Sequence, residues 1–176
     1  MPLLKNNTLI SDTWITAGAD DQLPEAGDVI VPFTRLLRDF GQLTQRSGKL
    51  GVTLSNADRA DSLANFLSRL SAVVLPFPAF NDGRAYSIAR QLRDFGYRGE
   101  IRAIGNVLPD QLQFMLQVGF DTFDIGERFP LSAWQAASKQ MSLAYQRGLF
   151  RRNSEAEIWT ERHTDAEPWL EQPHAG

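Results

Sequence analysis

The sequence predicts an α/β fold: an open parallel sheet of about five strands with helices on both faces, flavodoxin-like or Rossmann-like in layout. Three observations lead there. Short apolar runs alternate with amphipathic segments through most of the chain, glycines stand where helices should end, and the turns after the runs are rich in Asn, Asp and Ser. A partial (β/α) barrel is the alternative, because both architectures repeat the same strand–helix unit with the same periodicity.

Residues 3–15 hold two short apolar pieces around Asn6-Asn7 and Ser11-Asp12, which predicts a small hairpin or edge strands. Residues 18–27 are mostly small or polar and read as a surface connection. Asp28-Val29-Ile30-Val31-Pro32-Phe33 then predicts a buried strand, and Thr34 can cap a helix carrying Leu36, Leu37, Phe40 and Leu43. Leu50-Gly51-Val52-Thr53-Leu54 is the second strand. Ser55-Asn56-Ala57-Asp58 supplies the turn and cap for a helix bearing Leu63, Phe66, Leu67 and Leu70.

Ala72-Val73-Val74-Leu75-Pro76-Phe77 is the third strand. Its helix spans about 83–95, with Tyr86, Ile88, Ala89, Leu92 and Phe95 at three- and four-residue steps and Gly96 as a left-handed cap. The fourth strand, 100–104, ends at Gly105-Asn106. The helix after it starts near Pro109, whose missing N–H costs nothing in a first turn, and ends at Gly119. A fifth strand over 120–125 leads to a last helix carrying Leu131, Trp134, Ala137, Met141, Ala144 and Tyr145. These units predict one α/β domain over residues 1–150, with the N-terminal hairpin inside 1–27. Residues 151–176 are expected to form a polar, flexible tail in which Trp159 and Trp169 stand isolated.

Composition removes many functions. Cysteine is absent, which excludes disulfides, thiolate nucleophiles and iron–sulfur clusters held by this chain's own thiolates. The two histidines, His163 and His174, both lie in the tail, so neither a Ser-His-Asp triad nor a histidine zinc site is expected in the folded body. No metal is expected. A formal net charge of −3 speaks against a general nucleic-acid binder. No apolar run approaches the roughly 20 residues of a membrane helix, and the N-terminus lacks the layout of a signal peptide, so a cytoplasmic protein without membrane contact is expected.

In a parallel α/β sheet, ligands bind at the edge formed by the strand C-termini. Two loops are predicted to share that edge. The first carries Asn81, Asp82, Gly83 and Arg84: Asn81 or Asp82 can cap the following helix, Gly83 permits a tight turn, and Arg84 beside a helix N-terminus can hold a phosphate, sulfite or carboxylate. Asp82 counts against the anion, because a carboxylate already sits at the positive helix end. The second loop carries Gly105, Asn106, Asp110 and Gln111, with Asn106 and Asp110 as caps and Gln111 able to hydrogen-bond a ligand. Arg84, Arg90, Arg93, Arg98 and Arg102 suggest a basic cluster, but interleaved Asp82, Asp94 and Glu100 favour a solvated helix face. Asp121 and Asp124, three apart on a strand, point to opposite faces, and only Asp124 can easily reach the loop edge. Neither G-x-G-x-x-G nor a Walker loop occurs.

Three motifs in order resemble a proteobacterial family known as domain of unknown function 934. They are Phe80-Asn81-Asp82-Gly83-Arg84-Ala85-Tyr86-Ser87-Ile88-Ala89-Arg90, then Gly99-Glu100-Ile101-Arg102-Ala103-Ile104-Gly105-Asn106-Val107-Leu108-Pro109-Asp110-Gln111-Leu112, then Gly119-Phe120-Asp121-Thr122-Phe123. Weaker likeness extends to Asp12-Thr13-Trp14 and Val29-Ile30-Val31-Pro32. The resemblance implies a place beside assimilatory sulfite reductase, whose genes typically neighbour those of the family. It supplies no mechanism and no catalytic residues. Asn106 stands where many relatives are expected to carry Asp, which would make a carboxylate there dispensable.

Two classes of function follow. One is a non-catalytic accessory protein of sulfite or sulfate assimilation that binds a partner, such as sulfite reductase or another sulfur-assimilation protein, or a small anionic ligand. The other is an oxidoreductase of sulfite reduction that borrows its chemistry from a bound flavin or nicotinamide. Pairing of helix faces into a homo-oligomer is a third class.

Overall fold

The computed structural model describes residues 2–139. The first elements are β1 (Leu3–Lys5), β2 (Thr8–Ile10), β3 (Ile15–Thr16), β4 (Val29–Pro32), α1 (Phe33–Leu43) and β5 (Leu50–Thr53). Two 3₁₀ turns, Ala60–Leu63 and Leu67–Arg69, lead to β6 (Ala72–Phe77) and α2 (Arg84–Asp94). Then come β7 (Glu100–Gly105), a 3₁₀ turn (Pro109–Gln111) running into α3 (Leu112–Val118), β8 (Thr122–Asp124) and α4 (Leu131–Lys139). The expected continuation of the last helix through Met141 and Tyr145, and the tail, lie outside the described residues.

One mixed eight-stranded sheet orders these strands β2-β1-β8-β7-β6-β5-β4-β3. Strands β3 to β8 are parallel neighbours in chain order, and the β1–β2 hairpin joins antiparallel through β1 to β8. This corrects the expected flavodoxin-like sandwich of about five parallel strands. Such a sandwich reverses its strand order part-way and so sends helices to both faces. Here the order never reverses, and crossovers of one hand all fall on one side. Side-chain parity agrees: Val31, Val52, Leu75 and Ala103 form a single core with Leu36, Leu92, Met115 and Trp134 from the helices. The sheet is a curled half-barrel, which matches the barrel alternative apart from the antiparallel hairpin at its edge.

The chain itself requires the curl. β2 and β3 occupy opposite edges, seven strand spacings apart, which is about 33 Å across a flat sheet. Only residues 11–14 connect them, and that strap reaches about 17 Å when fully extended. The strap crosses the inner face and is fastened there. Asp12 accepts a 2.8 Å hydrogen bond from Arg102 Nη1 on β7, and the Trp14 ring lies against Gly51 on β5, where a Cβ would stand 3.3 Å from Cζ3.

Arg102 is buried and also donates from Nε to Glu100 at 2.9 Å, and Glu100 in turn accepts from Thr122 Oγ at 2.7 Å. The network missed is thus buried Arg102 and Thr122 joined by half-buried Glu100 and closed at the surface by Asp12. Their alternation along β7 placed Glu100 and Arg102 on one face, but nothing in the sequence showed that this face would be roofed. Arg93 is buried too, against the expectation of a solvated helix face. Its guanidinium donates to the carbonyls of Tyr97, Gly99 and Gly119 and to Asp121, tying the end of α2 to the starts of β7 and β8. Gly119 makes room for it: its φ is +113°, and a Cβ would lie 2.6 Å from Arg93 Cγ.

Two local expectations also change. α1 starts at Phe33 behind Pro32, which provides no side-chain cap, so Thr34 lies within the helix rather than before it. The helix expected after β5 is replaced by the two 3₁₀ turns. Its polar start explains this, because Ser and Asp side chains bond nearby backbone in competition with helix. Asp58 Oδ2 takes the N–H of Ser55 at 2.6 Å, and Ser55 Oγ takes that of Ala57.

Breaking a buried ion pair strands its partner, at about 3–5 kcal/mol. Arg102→Met should therefore lower stability to urea by about that amount. Adding Asp12→Asn and Glu100→Gln to Arg102→Met should recover part of the loss, because no unpaired carboxylate remains.

Candidate functional site

Parallel pairing of β5, β6 and β7 brings the loops 54–59, 78–83 and 106–108 to one edge, as expected for the strand C-termini. The middle loop is held from both sides. From the β7 side, Asn106 Nδ2 donates to Pro78 O at 2.6 Å and Gln111 Nε2 donates to Phe80 O at 2.6 Å. From the β5 side, Asn56 Nδ2 donates to Asp82 Oδ2 at 2.7 Å. Asn56 was read only as part of a turn. Its place after a parallel strand, on the edge that carries Asp82, was the available signal.

Asp82 is the hub. Its Oδ1 accepts from the Arg84 N–H at 3.2 Å and from Arg84 Nε at 2.9 Å, and its Oδ2 accepts from Arg84 Nη2 at 2.6 Å. The Arg84 guanidinium, then the Arg84 backbone and the Asn56 amide, hold this carboxyl well below the usual carboxylate range. The fork of Arg84 is thus closed on a carboxylate within its own loop, not open to an external anion. Gly83 occupies the N-cap of α2 and gives no side-chain cap, so Asp82 caps from one residue further back, through the first helical N–H. Asn81 is exposed in the turn that the Asp82 N–H closes onto Ala79 O.

The two loop glycines differ in kind. Gly105 has φ +93°, and a Cβ there would come within 2.6 Å of Phe77 O. Gly83 has φ −80°, with nothing within 4 Å of a Cβ position. Gln111 also accepts from the Leu108 N–H through Oε1 at 3.3 Å, so both ends of its amide are engaged in the loops. Asp110 stands in that first turn, where its charge, after burial, helps raise the Tyr86 phenol above its usual range. Asp121 precedes β8 and bonds Arg93 and the Ile101 N–H at the opposite end of the sheet, whereas Asp124 ends β8 on the strand C-terminal side, as expected, and accepts from the Gly126 N–H.

Beside exposed polar residues such as Asn81, Arg84 and Asp110, the edge also exposes aromatic side chains. Phe80 is 57% exposed at the tip of the held loop. Phe114 on α3, 54% exposed, packs against Tyr86 of α2 with ring centroids 5.0 Å apart and the planes tilted by 53°. Among the described residues, no group of three or more His, Cys, Asp or Glu stands ready to hold a metal ion. No helix of the described residues is long and apolar enough to cross a membrane.

Comparison with known families gives one match. Residues 51–155, more than half of the chain, fit the model for a bacterial protein of unknown function, DUF934. The chain belongs to this family. The DUF934 match spans both loops, Asn56, Arg93 and Arg102, and begins after the strap, so the weaker likeness at Asp12 and Val29 lies outside it. No curated protein and no solved structure matches the chain.

Gly105→Ala should cost about 1–3 kcal/mol, the range for a left-handed backbone forced on a side chain. Gly83→Ala should stay within about 0.5 kcal/mol; urea melts of both variants check the contrast. The depressed Asp82 ionisation has a signed consequence. A carboxyl whose folded-state pKa lies below its unfolded value near 3.9 stabilises above that value and loses the effect as pH falls through the folded pKa. Wild type should therefore exceed Asp82→Asn in melting temperature from neutral pH down to about 4, and the gap should shrink in more acid solution.

Proposed function

We propose that this DUF934 protein is an accessory protein of assimilatory sulfite reduction that docks on a partner enzyme through the strand C-terminal edge. The observation that carries this reading is the held loop 78–83. Asn106, Gln111 and Asn56 fix it from two neighbouring loops, and it presents an exposed Phe80. A pre-positioned aromatic side chain is the kind of group that dominates protein–protein contacts, because little conformational freedom remains to be lost on binding. Phe114 and Tyr86 extend the aromatic surface on α2 and α3.

The same geometry weighs between the two forms of the accessory reading. A small anion at this edge would have to compete with Asp82 for Arg84, and a carboxylate held by three hydrogen bonds from that residue is a strong competitor. A macromolecular partner needs no such displacement. A flavin or nicotinamide would meet a related difficulty, since the amides of Asn106 and Gln111 already serve the loop. The sulfur-assimilation setting is supported by the family resemblance alone, through the expected neighbourhood of such genes.

The purified chain should bind purified assimilatory sulfite reductase of the same organism in calorimetry. Phe80→Ala should weaken that binding by at least about tenfold while leaving the melting temperature unchanged. No heat of binding at concentrations of tens of micromolar, or equal affinity in the variant, would overturn the reading (about 10 µM marks the weak end for specific complexes).

A further inference from the structure

A cleft of about 450 Å³ lies at the strand N-terminal end of the sheet, opposite the loop edge. One wall is the second 3₁₀ turn with Leu70, just before β6. The other is the segment 95–99, between α2 and β7. The volume is within the range of ligand pockets and far above the roughly 30 Å³ of one water. Leu67, Leu70, Phe95 and Tyr97 make the interior apolar, and Phe95 is left 49% exposed.

The rim is cationic, and its charges are uncommitted. Arg98 lines the cleft, and Arg69 stands between the lining residues Ser68 and Leu70; both are exposed. Neither guanidinium has a hydrogen bond or ion pair among the described residues. Other exposed arginines differ: Arg38, Arg59, Arg84 and Arg90 each hold an Asp. The acidic groups nearest in sequence are taken, Asp94 by Arg90 at 3.2 Å and Glu100 by Arg102 at 2.9 Å.

The same chain carries a segment of opposite character. Residues 153–176, outside the described residues, hold six Asp and Glu against one Arg. Within them Glu167-Pro168-Trp169-Leu170-Glu171 sets two adjacent apolar side chains between two carboxylates. We propose that this segment docks into the cleft of its own chain. Trp169 and Leu170 then lie against Leu67, Leu70 and Phe95, and the flanking carboxylates meet Arg69 and Arg98. Charge complementarity selects the occupant and the place. At the loop edge the same segment would meet Asp110 and an Arg84 already closed on Asp82. Length permits the contact. Thirty residues separate Trp169 from Lys139, where the described residues end, and they span up to about 100 Å. A domain of this size has a radius of gyration of only about 14 Å. Pro168 restricts its own φ and biases Glu167 toward extended backbone, so less freedom is lost on docking. The cleft and Phe80 are at opposite ends of the sheet, and the proposal does not rest on the partner-docking reading.

The lack of cysteine allows a direct test in the full chain. Ala175→Cys carries a nitroxide spin label on nitrogen-15-labelled protein, and broadening of amide signals reports what lies near it. Broadening should concentrate on residues 67–70 and 95–99, and Trp169→Ala should abolish that concentration. Arg98→Glu should reduce the docked population at least about threefold, the scale of an exposed ion pair. Arg128→Glu, the same charge change at an exposed site after β8, should leave it unchanged. Broadening centred on other residues, broadening that survives Trp169→Ala, or equal effects of the two arginine variants would overturn the proposal. Broadening seen only between spin-labelled and separately nitrogen-15-labelled copies would also overturn it, by placing the segment on a second molecule.

Discussion

The length of the strap between β2 and β3 is the constraint on which the rest of the structure depends. Four residues join opposite edges of an eight-stranded sheet, so a flat or gently twisted sheet is out of reach for this chain. The curl places all helices on the convex side and leaves an inner face that needs cover. The strap is that cover, and Asp12 and Trp14 are its two points of attachment. Consequences then run outward. A side chain at Gly51 would meet Ile30 Cγ1 at 2.9 Å and crowd the Trp14 ring at 3.3 Å, and Arg102 can sit buried in a strand because Asp12 arrives from above to share its charge with Glu100.

Arginine does much of the joining elsewhere. Arg93 reaches four groups spread over two loops and so fixes where β7 and β8 begin relative to α2. Removing such a group would expose carbonyls that have no water to turn to, and this is why a buried arginine can organise a fold while contributing little net energy as an ion pair. The demand for Gly119 at its side shows the same close fit from the partner's perspective.

Much of the fold was legible because strand and helix signals are local. β6 was read at its full extent from a six-residue apolar run, and Gly96 and Gly119 marked helix ends where the backbone does turn left-handed. Strand order was not legible, because alternation of β and α is identical in a sandwich and a half-barrel, and only the strap's length against the sheet's width separates them. The burial of Arg93 and Arg102 was hidden for the same reason. Charged residues at helical or alternating spacing read as solvated until the element that roofs them is known. The two loops do share one edge, as strand C-termini imply, but their residues' hydrogen-bond partners came from three separate loops, and no spacing rule links Asn56 to Asp82 or Gln111 to Phe80.

That pattern of partners bears on what kind of function the edge can have. Polar side chains that serve a ligand keep donors and acceptors pointed into open space, and their loops carry the cost of leaving them unpaired. Here the polar groups of Asn56, Asp82, Arg84, Asn106 and Gln111 are bonded within the three loops, and Phe80 is the large apolar side chain of the middle loop that faces outward. An edge of this kind spends its hydrogen bonds on shape. Shape held by rigid loops and an aromatic tip suits recognition of another surface, where complementarity and removal of apolar area from water do the work.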